Sequence, residues 1–447
     1  MSPRNPSHPG VLLRYGLSMK RFGGLAIVTG AVAASLLLGG GAASALAAPA
    51  PAAGAPAEAA DSPAGKSYVA LGDSYSAGFG LTPFSDEPAS GCYQADQNYP
   101  HLVAESLGLV LDDRTCSGAV TANIRDTPQV TITGAGTAPV QSDALGPDTD
   151  IVTVTIGGND LGFSTVAQTC VAESATGPLA LNAIGLGLKN CKQYYAPVVD
   201  GIEIDHLKYV LDNTVTPALD ETFALIQAKA PNAKVFVIGY PAITPDVANT
   251  PAAGCYSSPL GTGTDPLAPP FPQNSFPFTD VDTLYLHGTE ARLDTAIGQA
   301  ATANGATYIP TIPLTQTHTA CAADGEAFIN GIGFNDTSGT PTPDPDLFVT
   351  LGALHPNASG VAFLAEQVSQ SISAAYEGEG EGDPEPTATP TAVPSPDPTT
   401  APAAAGDPNR PGLAATGTDA VALGLSAAAM LVAGLTAVGW RRRRARS

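Results

Sequence analysis

The sequence predicts a three-layer α/β/α sandwich built on a central parallel sheet. Three observations carry that expectation. Short, continuous, β-branched apolar runs each stop at a glycine or proline, as strands buried on both faces do. They are Tyr68 to Leu71 before Gly72, Ile151 to Ile156 before Gly157, Val235 to Ile238 before Gly239, and Tyr308-Ile309 before Pro310. Longer stretches carry helical spacing: Leu211, Val215, Leu219, Phe223 and Ile226 within 206–229, then Val361, Leu364, Ala365, Val368 and Ile372. Strand, helix and strand in alternation is the signature of a layered α/β domain.

That domain, residues 67–377, accounts for most but not all of the 447 residues. Residues 1–47 read as a signal peptide: Met19-Lys20-Arg21, an apolar run from Leu25 to Leu38, then the small residues Ala45 to Ala48. Residues 48–66 are an Ala/Pro spacer. Residues 378–412 are rich in Pro, Thr, Ala and acids and lack apolar periodicity, so an extended stalk is expected there. In residues 413–447, Leu413-Ala414-Ala415-Thr416-Gly417 precedes an uncharged run from Ala420 to Trp440, long enough to span a bilayer, and then Arg441 to Arg444 and Arg446. This order resembles a cell-wall sorting signal, with Ala414 where a proline is usual. The resemblance implies sortase as a partner and peptidoglycan as the acceptor at Thr416. The expected location is therefore secreted and wall-anchored, with a plain membrane anchor as the alternative.

Charge excludes one class of partner. The chain carries 19 basic and 41 acidic residues, a net charge of −22. Setting aside the nine basic residues of the two terminal signals and Asp419 leaves 10 basic against 40 acidic, a net charge of −30. A body that acidic repels phosphate backbones, so no nucleic-acid partner is expected. A monomer is expected.

The six cysteines, Cys92, Cys116, Cys170, Cys191, Cys255 and Cys321, form no C-x-x-C pair. An even count in an exported chain reads as three disulfides rather than metal or redox chemistry, with fifteen possible connectivities. No H-E-x-x-H is present, and no metal or other cofactor is expected.

Ligands of such sheets bind outside the carboxyl ends of the strands, so the chemistry is sought there. The first strand runs into Gly72-Asp73-Ser74, and the strand 151–156 runs into Gly157-Gly158-Asn159-Asp160. Cys116-Ser117-Gly118 follows a run predicted as a strand at Leu109 to Leu111, and Leu354-His355-Pro356-Asn357 precedes the last helix. Together they offer a hydroxyl, an imidazole, a side-chain amide and main-chain N–H groups. Acyl transfer needs such a set, because a serine becomes nucleophilic when a histidine takes its proton, and the oxyanion needs preorganised donors. Singly, each residue reads as a turn or cap.

These four blocks, in this order, resemble the SGNH (GDSL-type) serine hydrolases, specifically the secreted bacterial esterase/lipase branch. The resemblance implies a flavodoxin-like SGNH fold, a catalytic Ser74 and His355, and an oxyanion hole of Ser74, Gly118 and Asn159. It also implies the pairing Cys92–Cys116, Cys170–Cys191 and Cys255–Cys321. Most of the family has an aspartate three residues before the histidine, where this chain has Gly352. The Gly352 carbonyl is therefore expected to orient the imidazole, with Asp344 or Asp346 as alternatives and Asp73 only shaping the turn. An exported ester hydrolase working through an acyl-enzyme on a lipid or acylated small molecule is the leading expectation. A carbohydrate O-acetylesterase or an inactive adhesin on the same fold are the alternatives. No G-x-S-x-G is present to favour the other large esterase fold.

Overall fold

A computed structural model describes residues 62–180, 187–261, 264, 270–323, 325–335 and 349–377. The signal, stalk and sorting-signal expectations fall outside the described residues, as do Asp344, Asp346 and Thr416. Among the described residues no helix is long and apolar enough to cross a membrane.

The sheet has five parallel strands: β1 (Ser67–Gly72), β2 (Val110–Asp113), β3 (Ile151–Thr155), β4 (Lys234–Ile238) and β5 (Thr307–Ile309). Their spatial order is β5-β4-β3-β1-β2. This is the flavodoxin-like order, whose chain direction across the sheet reverses between β1 and β3. The four apolar runs predicted as buried strands are β1, β3, β4 and the edge strand β5, each within a residue of the predicted bounds. The second strand lies at Val110–Asp113 rather than Leu109 to Leu111, because Ser67 pairs with Val110 and Ala70 with Asp113. Its apolar signal covers only half its length.

Alternation within each strand sends side chains to two separate layers. Val69, Leu71, Val152, Val154, Val235 and Val237 face one cluster, completed by helix residues Leu219, Phe223, Leu293 and Ile297. Tyr68, Ala70, Ile151, Phe236, Ile238 and Ile309 face the other, with Tyr99, Val103, Leu364, Val368 and Ile372. The framing helices are α1 (Ser74–Ala77), α2 (Tyr99–Leu107), α3 (Thr121–Arg125), α4 (Phe163–Cys170), α5 (Thr216–Lys229), α6 (Asp280–Ala303) and α7 (Ala358–Glu377). Thus α5 and α6 cover one face, and α2 and α7 the other.

The predicted helix over 206–229 is interrupted by one π turn at Leu211–Val215. Pro217 has no N–H to continue the α ladder, and the Thr216 N–H reaches back to the Leu211 carbonyl instead. Three disulfides join Cys92 to Cys116, Cys170 to Cys191 and Cys255 to Cys321, the pairing the resemblance implied. A third apolar cluster, with Val166, Leu179, Phe276, Phe278 and Leu286, includes Cys170 and Cys191 and packs beside the carboxyl ends of the strands.

Candidate active site

The reversal between β1 and β3 leaves a crevice at their carboxyl ends. Gly72 pairs with Thr155 in the sheet, and Asp73 N donates to Thr155 O at 3.1 Å, so the first and third blocks leave the sheet side by side. Asp73 caps α1: its Oδ1 accepts from Tyr75 N at 3.0 Å. The turn places Ser74 on the first residue of the helix, with 8% of its surface exposed.

His355 arrives from the far end of the domain. Its Nε2 lies 2.8 Å from Ser74 Oγ, and its Nδ1 lies 2.9 Å from the Ala353 carbonyl oxygen. A carbonyl only accepts, so the ring proton sits on Nδ1 and Nε2 is left to accept from the serine hydroxyl. Packing against Tyr75 and Phe79, with ring centroids 5.0 and 4.9 Å away, leaves the imidazole half-buried. Burial lowers its pKa to about 4, against a smaller raising effect of the Ala353 bond.

One expectation needs correction. The carbonyl on Nδ1 belongs to Ala353, not Gly352. Gly352 O instead accepts from His355 N at 3.0 Å and from Asn330 Nδ2 at 3.2 Å, closing the turn on itself. Leu354 adopts φ +60°, a conformation costing about 1–2 kcal/mol for an L-residue, and this bend brings Ala353 O round to the ring. Gly352 has φ +82°, and a Cβ there would lie 2.8 Å from Gly80 Cα. The backbone contact that shapes the turn therefore leaves no room for the aspartate common elsewhere.

The segments that carry the expected oxyanion donors are tied to one another by hydrogen bonds. Cys116 N donates to Gly72 O at 3.1 Å and Ser117 N to Cys92 O at 2.9 Å, which ties the second block to the first and to its disulfide partner. Asn159 Nδ2 donates one hydrogen to Ala119 O at 2.9 Å, leaving the second available. Asp160 accepts from Thr121 N at 3.0 Å and Thr121 Oγ1 at 2.6 Å, clamping the third block to the second. Gly118, at φ +84°, forms the bend between them.

Sequence reasoning missed two tyrosines and a glutamate. Tyr240, directly after β4 and Gly239, donates to Asp73 Oδ2 at 2.5 Å and accepts from Gly158 N at 3.0 Å. It therefore joins the first block to the third. Its place at a strand's carboxyl end was the signal that could have found it. Burial pushes the Asp73 carboxyl up to about 7, with the Tyr240 and Tyr75 hydrogen bonds acting in the opposite direction. Tyr75 donates to Leu354 O at 2.7 Å. Glu290, buried on α6, accepts from Ile243 N, Thr244 N and Thr244 Oγ1 and fixes the loop after β4; burial raises its carboxyl to about 7. Among the described residues no group of three or more His, Cys, Asp or Glu could hold a metal ion.

A flavodoxin-like sheet with a serine and a histidine hydrogen-bonded at its reversal point defines an α/β protein of serine-hydrolase type. The chain belongs to the GDSL-like Lipase/Acylhydrolase family, whose model matches residues 70–363, and it is a hydrolase acting on ester bonds. It is 35% identical over 344 residues to Lipase 2 of Streptomyces coelicolor, covering 76% of this chain and 94% of that one. It is 31% identical over 362 residues to an esterase of Streptomyces scabiei, covering 76% and 92%. Among solved structures it is similar to phospholipase A1 from Streptomyces albidoflavus, at 24% identity and a TM-score of 0.46, over 69% of this chain and 100% of that one.

Proposed function

We propose that the protein is an exported carboxylic-ester hydrolase working through a Ser74–His355 dyad and an acyl-enzyme. The observation that carries this reading is the 2.8 Å contact between Ser74 Oγ and an imidazole nitrogen whose partner nitrogen is already engaged by a main-chain carbonyl. Ser74 Oγ attacks the ester carbonyl while His355 Nε2 takes its proton. The oxyanion meets Ser74 N–H, Gly118 N–H and the second Asn159 Nδ2 hydrogen. The C–O bond to the alcohol breaks as His355 returns the proton to the leaving oxygen, leaving the acyl group on Ser74. Water, giving its proton to His355, attacks that ester; the acid leaves and Ser74 recovers its proton.

Three disulfides support an oxidising compartment outside the cytoplasm. The Pro/Thr-rich composition of 378–412 and the sorting-signal resemblance from Leu413 onward support a cell-surface enzyme joined to peptidoglycan through Thr416. The intact pairing of Ser74 with His355 favours an enzyme over an adhesin.

Hydrolysis of p-nitrophenyl esters by wild type, Ser74→Ala, His355→Ala and the double variant tests the dyad. Each single variant is expected to lose nearly all turnover, with the double little worse, because the two groups act as one unit. Substantial turnover by His355→Ala sinks the base assignment.

A further inference from the structure

Among the described residues no carboxylate bonds to His355 Nδ1, yet the ring is held in one orientation. The Ala353 carbonyl supplies the contact, but a main-chain carbonyl is only as well placed as the turn that carries it. That turn is bent: Leu354 lies at φ +60°. Something must hold it against relaxing.

The group that reaches it is Tyr75, one residue beyond the nucleophile. Its hydroxyl donates to the Leu354 carbonyl at 2.7 Å, across 279 positions of sequence. Its ring is 7% exposed and is packed on both sides. One neighbour is the His355 ring at 5.0 Å, and the other is Tyr240, edge-on at 4.9 Å. Tyr240 is itself fixed between Asp73 and Gly158. The hydroxyl therefore projects from a ring with little freedom to move.

We infer that Tyr75 is a positioning residue for the histidine: by tethering the Leu354 carbonyl it keeps the Ala353 carbonyl on His355 Nδ1, the task a carboxylate performs in a triad. The inference rests on the Ser74–His355 reading for its catalytic consequence, though not for its structural one. Nucleophile and base are then set by neighbouring residues of one short helix, Ser74 touching Nε2 directly and Tyr75 governing Nδ1 through the turn. The arrangement explains how the site tolerates glycine at 352.

The test is Tyr75→Phe, which removes the hydroxyl and keeps the ring. Tyr68→Phe serves as the control, since it deletes a buried tyrosine hydroxyl bonded to Thr153 at 2.7 Å, on β1 and away from the turn. Nitrogen-15 NMR of the ring-labelled full chain reports the His355 tautomer without requiring turnover. Wild type and Tyr68→Phe are expected to show the Nδ1–H form alone. Tyr75→Phe is expected to show a second tautomer and a fall of about tenfold in kcat with little change in KM, the scale of one lost hydrogen bond. A single Nδ1–H tautomer in Tyr75→Phe overturns the inference, whatever happens to turnover. So does an equal loss of kcat in both variants. Failure of the dyad reading shows separately, as retained turnover in Ser74→Ala.

Discussion

Replacing Tyr240 with phenylalanine deletes one oxygen atom and strands two buried polar groups. Asp73 Oδ2 loses a 2.5 Å donor and Gly158 N loses a 3.0 Å acceptor, in a place where Asp73 has 1% of its surface exposed. Each buried group left unpaired costs about 1–3 kcal/mol, so a loss of about 3 kcal/mol is expected. At about 2.1 cal/mol/K per residue, a domain of roughly 300 residues should melt about 5 °C lower. The deficit should also depend on pH. Burial has raised Asp73 from 3.8 to about 7, so its contribution to stability is full below the unfolded value and is lost as pH rises through about 7. The Tyr240 bond lowers that pKa, so removing it moves the titration further up. The deficit is therefore larger at about pH 8 than at about pH 5. Turnover should fall as well, because Gly158 precedes the Asn159 donor. Calorimetry at the two pH values with ester kinetics alongside measures all three. Melting within about 1 °C of wild type at both, with unchanged kcat, would refute the coupling argued here.

Four further outcomes follow from the same geometry. The imidazole acts as a base when neutral, so kcat/KM should hold above about 4 and fall as pH drops through that value; a midpoint near the ordinary histidine value of 6.5 contradicts the burial argument. Gly352→Asp, which restores the aspartate common in the family, should damage rather than improve the enzyme, because its Cβ would lie 2.8 Å from Gly80 Cα on a φ +82° backbone; wild-type stability with raised kcat rules this out. The Cys92→Ala/Cys116→Ala variant should lose roughly 3–4 kcal/mol of stability by the chain-entropy model, and lose turnover while still folded, since Ser117 N bonds to Cys92 O beside Gly118. Equal turnover losses in folded Cys170→Ala/Cys191→Ala argue against that link. Glu290→Gln should flatten the pH dependence of melting: the wild-type carboxyl, raised from 4.5 to about 7, contributes stability that is lost as pH rises through that range, and an unaltered profile contradicts it.

Sequence reasoning saw the parts of this site whose signals are local. A strand buried on both faces announces itself as a continuous apolar run, and the polar residues at its carboxyl end are then candidates by position. That logic reached Ser74 and Asn159 and passed over Tyr240, whose phenol reads as a core aromatic until Asp73 and Gly158 are brought to it. The orienting carbonyl was out of reach for another reason. It depends on Gly80 meeting Gly352, on the bend at Leu354 and on Tyr75 spanning the domain, and none of these has a local pattern. The second strand shows the same limit in miniature: Asp112 and Asp113 belong to it through pairing with β1, against their own weak strand preference. The proline-rich segment after β4 carries no period, and tertiary contacts place its buried Phe276 and Phe278.

The most direct test of the central claim is the site at which the protein is acylated or phosphonylated. Treatment with a fluorophosphonate, followed by peptide mass spectrometry, should place a single adduct on Ser74. Labelling should be abolished in Ser74→Ala and reduced by orders of magnitude in His355→Ala. An adduct on another residue, or undiminished labelling without His355, would contradict the account.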